Sequence, residues 1–125
     1  MRGFDGDFYA PHSRYTAVGE GDILAAGLDV LAKSADAGVY VAANRDRRQI
    51  FVTGHSEYDL MTLDAEYRRD KDKGLDPDTP VNYYDGDDPE NPPLMRWRAH
   101  AHMLFSNWLN YYVYQETPFN LEALE

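Results

Sequence analysis

The stretch Gln49-Ile-Phe-Val-Thr-Gly-His-Ser-Glu57 decides how this chain is read. Its first five residues are rich in β-branched and aromatic side chains, so Gln49–Thr53 reads as a strand. Val39–Ala43 has the same character, and Asn44-Arg-Asp-Arg47 between the two reads as a hairpin connection. Further upstream, Leu28–Lys33 reads as another strand, with a short helix as its competitor. Directly after Thr53 the sequence places His55 and Glu57 two residues apart. If the extended geometry persists, alternation puts both side chains on one side of the backbone. A carboxylate beside an imidazole fixes the tautomer and stabilises the imidazolium, which is what a general base requires. His-x-Glu alone is a weak signal, since a structural histidine or a surface pair produces it as readily.

Outward from this stretch, Met1 to Asp22 is rich in Gly, Asp and aromatics, contains Pro11, and reads as irregular. On the other side, Asp59 to Lys73 reads as a helix with Leu60, Leu63 and Tyr67 on one stripe. Lys71 and Lys73 suit its last turn, and Gly74 suits the position just past its end. Leu75 to Pro93 holds five prolines and six acidic residues, so it reads as a long, largely solvated connection of the kind that often borders binding sites. A second helix follows. Leu94, Trp97, Ala101, Leu104, Phe105, Trp108, Leu109, Tyr112 and Val113 recur at spacings of three and four, and Pro118 ends it. Such a face is expected to pack in a core, stabilising the fold by several kcal/mol at roughly 25 cal/mol per Å². The sequence therefore predicts an α/β chain of short strands followed by two helices.

Composition narrows the function. A chain of 125 residues forms one domain at most, and its 43% hydrophobic content suffices for a core. The net charge of −10 argues against nucleic acid and, weakly, against this chain supplying the main site for a polyanionic small molecule. The absence of Cys removes disulfides, Cys-based zinc sites and any cysteine nucleophile encoded here. No apolar run is long enough for a membrane span and no secretory signal is visible, so a cytoplasmic location is the default. His100 and His102 diverge by about 200° on a helix, which disfavours a shared metal. Tyr58 stands where a Gly-x-Ser-x-Gly elbow needs its second Gly, so Ser56 is not read as a nucleophile. Neither common phosphate-binding Gly-rich loop is present.

Four blocks give a family resemblance. Phe51-Val-Thr-Gly-His-Ser-Glu-Tyr-Asp59 resembles the Val-Thr-Gly-His-Pro-Glu-Tyr-Asp signature of the homoserine O-succinyltransferase/O-acetyltransferase family. Arg2-Gly-Phe-Asp-Gly-Asp-Phe8 with Ala10-Pro-His-Ser-Arg-Tyr15 resembles a second block. Glu66-Tyr-Arg-Arg-Asp70 with Gly74-Leu-Asp-Pro-Asp78 resembles a third. Trp97-Arg-Ala-His100 with Leu104 to Gln115 resembles the family's carboxy-terminal helix. The resemblance covers nearly the whole chain in order.

The resemblance implies a class I glutamine-amidotransferase-like (flavodoxin-like) α/β fold, with helices around a mostly parallel sheet. It implies ping-pong acyl transfer in methionine biosynthesis. A cysteine takes a succinyl or acetyl group from succinyl-CoA or acetyl-CoA, and the hydroxyl of L-homoserine then accepts it. Acyl-CoA is a co-substrate, and no cofactor is implied. By the match, His55 is the proton acceptor, Glu57 its orienting partner, Arg69 the clamp on the homoserine carboxylate and Ser13 a second substrate contact. Without the match, Arg69 reads as a surface ion pair and Ser13 as a turn cap.

Ser56 departs from the usual Pro. The family's nucleophile, oxyanion-hole backbone and donor-selecting residue all fall upstream of Met1. Residues 1–125 are therefore expected to be the carboxy-terminal half of the acyltransferase domain, with the amino-terminal half as a partner, a tendency to homo-oligomerise and no turnover alone. The alternative is a non-catalytic binding or assembly module.

Overall fold

A computed structural model describes residues 1–118 and 120. Three strands, β1 (Asp29–Ser34), β2 (Gly38–Ala43) and β3 (Ile50–Val52), form a sheet in that order. Strand β2 is central and buried from Val39 to Ala43, which explains its unbroken apolar run. Both pairings are antiparallel, Asp29 opposite Ala43 and Val41 opposite Val52. The mostly parallel sheet implied by the resemblance is thus not what these strands form. The links between them are tight turns, and a parallel pair needs a crossover of a dozen or more residues. In the second turn Asn44 Oδ1 accepts from Gln49 N at 3.0 Å and Asp46 Oδ1 from Arg48 N at 3.0 Å. The helical competitor at 28–33 does not form. A short helix, α1 (Glu20–Ala25), instead begins inside the stretch read as irregular, because Ile23 packs with Val39 and Ala42.

The rest of the opening stretch is irregular yet fixed. Asn107 Nδ2 donates to the Arg2 carbonyl at 2.8 Å, and His100, its ring against those of Phe4 and Phe8, has Nε2 3.1 Å from Asp5 Oδ2. His100 is thereby engaged with the amino-terminal segment.

Helix α2 (Thr62–Asp72) starts later than Asp59 because Asp59–Thr62 closes a turn, Thr62 N donating to Asp59 O at 3.1 Å. It ends as expected. Gly74 takes φ +71°, Gly74 N donates to Lys71 O at 2.9 Å and Leu75 N to Asp70 O at 3.0 Å, the paired bonds of a Schellman stop. Leu63 and Tyr67 pack with Tyr83, Tyr84, Trp97 and Ala101. The 75–93 connection is consequently more than a solvated loop, since Tyr83 and Tyr84 anchor it in the core. Buried Asp64 organises that anchor. Tyr84 Oη donates to Asp64 Oδ1 at 2.7 Å and Asp64 N donates to Tyr83 Oη at 3.1 Å. Arg68 also bonds Asp64, and its Nη2 reaches the Pro89 carbonyl at 2.8 Å.

Helix α3 (Arg98–Asn107) starts after Leu94 because Leu94 N is held by Tyr83 O at 2.8 Å, with Tyr84 and Pro93 bridged alongside. It continues as a π-helical segment, Trp108–Tyr114. Its apolar face was expected to be core, and that holds only for Trp97 and Ala101. Phe105, Trp108 and Leu109 are exposed. With Leu31, Val41 and Val52 of the sheet, Phe105 and Trp108 border an open cleft of about 790 Å³, because no strand or helix among the described residues covers that side. No helix among the described residues is long and apolar enough to cross a membrane.

Candidate active site

The site is assembled where β3 runs out. Thr53 N still bonds Tyr40 O at 2.9 Å, after which Gly54 slips between Tyr40 and the 11–14 segment. A Cβ on Gly54 would lie 2.8 Å from the Tyr40 ring and 2.9 Å from the Pro11 carbonyl, so only glycine fits. The same carbonyl accepts His55 N–H at 2.8 Å. Arg14 knits the segments together, donating Nη1 to Thr53 Oγ1 at 2.9 Å and to His12 Nδ1 at 3.2 Å, and Nη2 to the Ala37 carbonyl.

Extended geometry does not persist to Glu57. His55–Tyr58 forms a turn, Tyr58 N donating to His55 O at 3.1 Å. The two side chains meet because that turn folds Glu57 back, and His55 Nδ1 lies 2.9 Å from Glu57 Oε1. The expected contact is present, made by a turn rather than by strand alternation. Tyr58 stacks on the His55 ring, centroids 4.5 Å apart and planes 15° apart. Burial pushes the Glu57 carboxyl up, but the hydrogen bond from His55 and its own backbone outweigh it, leaving Glu57 below the ordinary value. Burial and the hydrogen bond to Glu66 push the Tyr58 hydroxyl up to about 12, so it stays protonated. With Glu57 accepting at Nδ1, Nε2 is the nitrogen left to accept a proton. The His55 side chain is 36% exposed beside a cleft of about 300 Å³ bordered by Thr53, Glu57, Leu104 and Phe105. Val52, Leu104 and Phe105 line both this cleft and the larger one, so the two are neighbours that share a wall.

Ser56 is buried against the Tyr40 hydroxyl, which accounts for it without a reacting role. Arg69 lies on α2 and pairs with Asp70, Nε to Oδ1 at 2.8 Å and Nη2 to Oδ2 at 3.1 Å. It does not line the cleft beside His55, although its charge acts on Tyr58, the residue stacked on that imidazole. Ser13 is half-buried and makes no hydrogen bond among the described residues. Tyr15, two positions on, donates to Asp70 Oδ2 at 2.7 Å, which ties the Ser13 segment to the Arg69–Asp70 pair.

Three participants escaped the sequence reading. Tyr58 and Asp70 lie inside motifs but carry no pattern of their own. His12 is held neutral, its pKa lowered to about 4 by burial and by the nearby charges of Arg14 and His55. Only the proximity of Pro11 to Gly54, invisible in sequence, brings it here.

An imidazole oriented by a carboxylate and half open to solvent, at a strand exit of an α/β chain, is an arrangement for general-base chemistry. Comparison with known proteins supplies the family. The homoserine O-succinyltransferase family model matches residues 1–119, and the chain belongs to that family. It is 59% identical to a homoserine O-succinyltransferase of Aeromonas salmonicida, over 99% of this chain and 40% of the relative. It is 59% identical to a homoserine O-acetyltransferase of Acetivibrio thermocellus and 61% to one of Bacteroides thetaiotaomicron, each over 100% of this chain and 41% of the relative. The chain thus spans about two-fifths of the length of the curated relatives it matches.

Proposed function

We propose that this chain supplies the proton-accepting and homoserine-binding part of a homoserine O-acyltransferase that takes its acyl group from succinyl-CoA or acetyl-CoA. The observation that supports this reading best is the His55–Glu57 contact in a turn whose backbone is tied to Pro11. In the proposed step His55 Nε2 removes the proton of the homoserine hydroxyl. The oxygen attacks the carbonyl of an enzyme-bound acyl thioester, and the tetrahedral intermediate expels the thiolate. Glu57 stabilises the imidazolium that forms. Arg69 holds the homoserine carboxylate and Ser13 lies within the same binding region. The cysteine belongs to polypeptide outside this sequence, as does the class I glutamine-amidotransferase-like parallel sheet that would complete the fold. The open apolar cleft beside Phe105 and Trp108, which shares the Leu104–Phe105 wall with the His55 cleft, is where that polypeptide would pack. Near-equal identity to acyltransferases of both names is the reason the donor is given as either.

The test follows coenzyme A release from succinyl- or acetyl-CoA with L-homoserine. The chain alone should release none. Mixed with the amino-terminal portion of a relative it should turn over, and His55→Ala should then reduce the rate by about 10²–10⁴-fold. Turnover by the chain alone, abolished by His55→Ala, would establish a cysteine-free route and refute this reading. A complemented mixture in which His55→Ala changed nothing would refute the assigned base.

A further inference from the structure

Two arginines stand side by side on α2, and their environments differ. Arg68 is committed to structure, bonded to Asp64 through Nε and to the Pro89 carbonyl through Nη2. Arg69 is committed on one edge only. Asp70 occupies the Nε–H and one Nη2–H, in a two-point contact of 2.8 and 3.1 Å. The opposite edge, with one N–H from Nη1 and one from Nη2, meets no carboxylate among the described residues; the neutral Tyr15 hydroxyl also interacts with Arg69, and the Arg69 side chain is 48% exposed. That carboxylate-free edge is the fork that binds a carboxylate at two points.

Asp70 is an unfavourable choice for helix stability. It sits in the last turn of α2, where a negative charge opposes the helix dipole, and its side chain is only 12% exposed. Three hydrogen bonds hold it there, two from Arg69 and one from Tyr15 at 2.7 Å. Tyr15 in turn is 80% exposed, so burial does not fix its ring, and the bond to Asp70 does.

We infer that Asp70 and Tyr15 are positioning residues for the substrate carboxylate: Asp70 holds one edge of the Arg69 guanidinium so that the other faces the ligand, and Tyr15 fixes the Ser13 segment to the same anchor. The inference rests on the proposed homoserine site and adds to it the residues that orient Arg69.

The experiment is a titration of the chain with L-homoserine, followed by NMR, and in parallel with aminopropanol, which is homoserine without its carboxylate. Asp70→Asn keeps the size of the side chain and an acceptor for Tyr15 but loses the charge and the two-point contact. It should weaken L-homoserine binding by roughly tenfold, and Tyr15→Phe by about threefold, as expected for charge-assisted hydrogen bonds. Neither should alter aminopropanol binding, a selectivity that general destabilisation would not produce. In the same spectra the Arg69 Nε–H signal should shift in Asp70→Asn. If Arg69→Lys weakens L-homoserine binding while Asp70→Asn and Tyr15→Phe leave it unchanged, the positioning role is overturned and the proposed site stands. If the chain does not bind L-homoserine, or Arg69→Lys changes nothing, the proposed site fails and this inference fails with it. Tyr15→Phe alters an exposed ring and decides the matter even if Asp70→Asn does not fold.

Discussion

At the residue scale, the two histidines near Gly54 have separate tasks. His55 is oriented by Glu57 and half open, whereas His12 is wedged beside Tyr40 and accepts from Arg14. An arginine can only donate, so the neutral His12 carries its proton on Nε2. NMR of the imidazole nitrogens should find that tautomer, with His12 titrating near pH 4. The stability consequence has a definite sign. The folded state resists protonating His12 while the unfolded chain takes up the proton near 6.5, so stability should fall as pH drops from 6.5 towards 4. Asp70 acts in a lower window. Arg69 and Tyr15 hold its carboxyl down to about 2 from 3.8, so its contribution is complete above about pH 4 and lost as pH falls towards 2. Denaturation midpoints measured against pH should show the upper loss removed by His12→Asn, which keeps an acceptor for Arg14, and the lower one by Asp70→Asn. An unchanged profile in either variant would discard that assignment.

At the scale of elements, the exit of β3 is held by close approach rather than by side-chain burial. Gly54→Ala should destabilise the chain by about 1–3 kcal/mol, the usual range for an added methyl in a packed site. It should also displace His55, because the Pro11 carbonyl that the methyl would strike is the one accepting His55 N–H. A denaturation curve gives the first effect and the His55 amide shift the second; a neutral variant would mean that Pro11 moves freely. Element positions were largely legible. The strands at 29–34, 38–43 and 50–52 and the glycine stop at Gly74 follow from local chemistry. Helix starts were not. Both α2 and α3 begin three or four residues late because preceding residues are drawn into other bonds, Thr62 N to Asp59 and Leu94 N to Tyr83.

At the scale of the whole molecule, the unpartnered aromatic face is the dominant liability. Contiguous exposed apolar surface beside a three-stranded sheet with two open edges favours self-association. Sedimentation should show weight-average mass rising with concentration. Phe105→Ser with Trp108→Gln should suppress the rise while shifting the unfolding midpoint little, since both rings are exposed. A concentration-independent monomer before substitution would contradict this.

The sequence by itself determined the three strands and the two longer helices after them, though not α1, together with the His55–Glu57 pairing as a candidate and the family, because each depends on residues close together in the chain or on a run of identities. Tertiary structure alone decided what Gly54 must approach, that Tyr83 and Tyr84 leave an acidic loop to enter the core, and that Asp70 rather than solvent faces one edge of Arg69. The first two depend on contacts between residues 14 to 43 positions apart and the third on Tyr15 holding Asp70 from 55 positions away, and no local periodicity encodes which distant partner a side chain meets. The apolar stripe of α3 shows the limit most clearly. Its spacing states that the face wants burial, but whether it is buried depends on what packs opposite, and for Phe105 and Trp108 that is an open cleft.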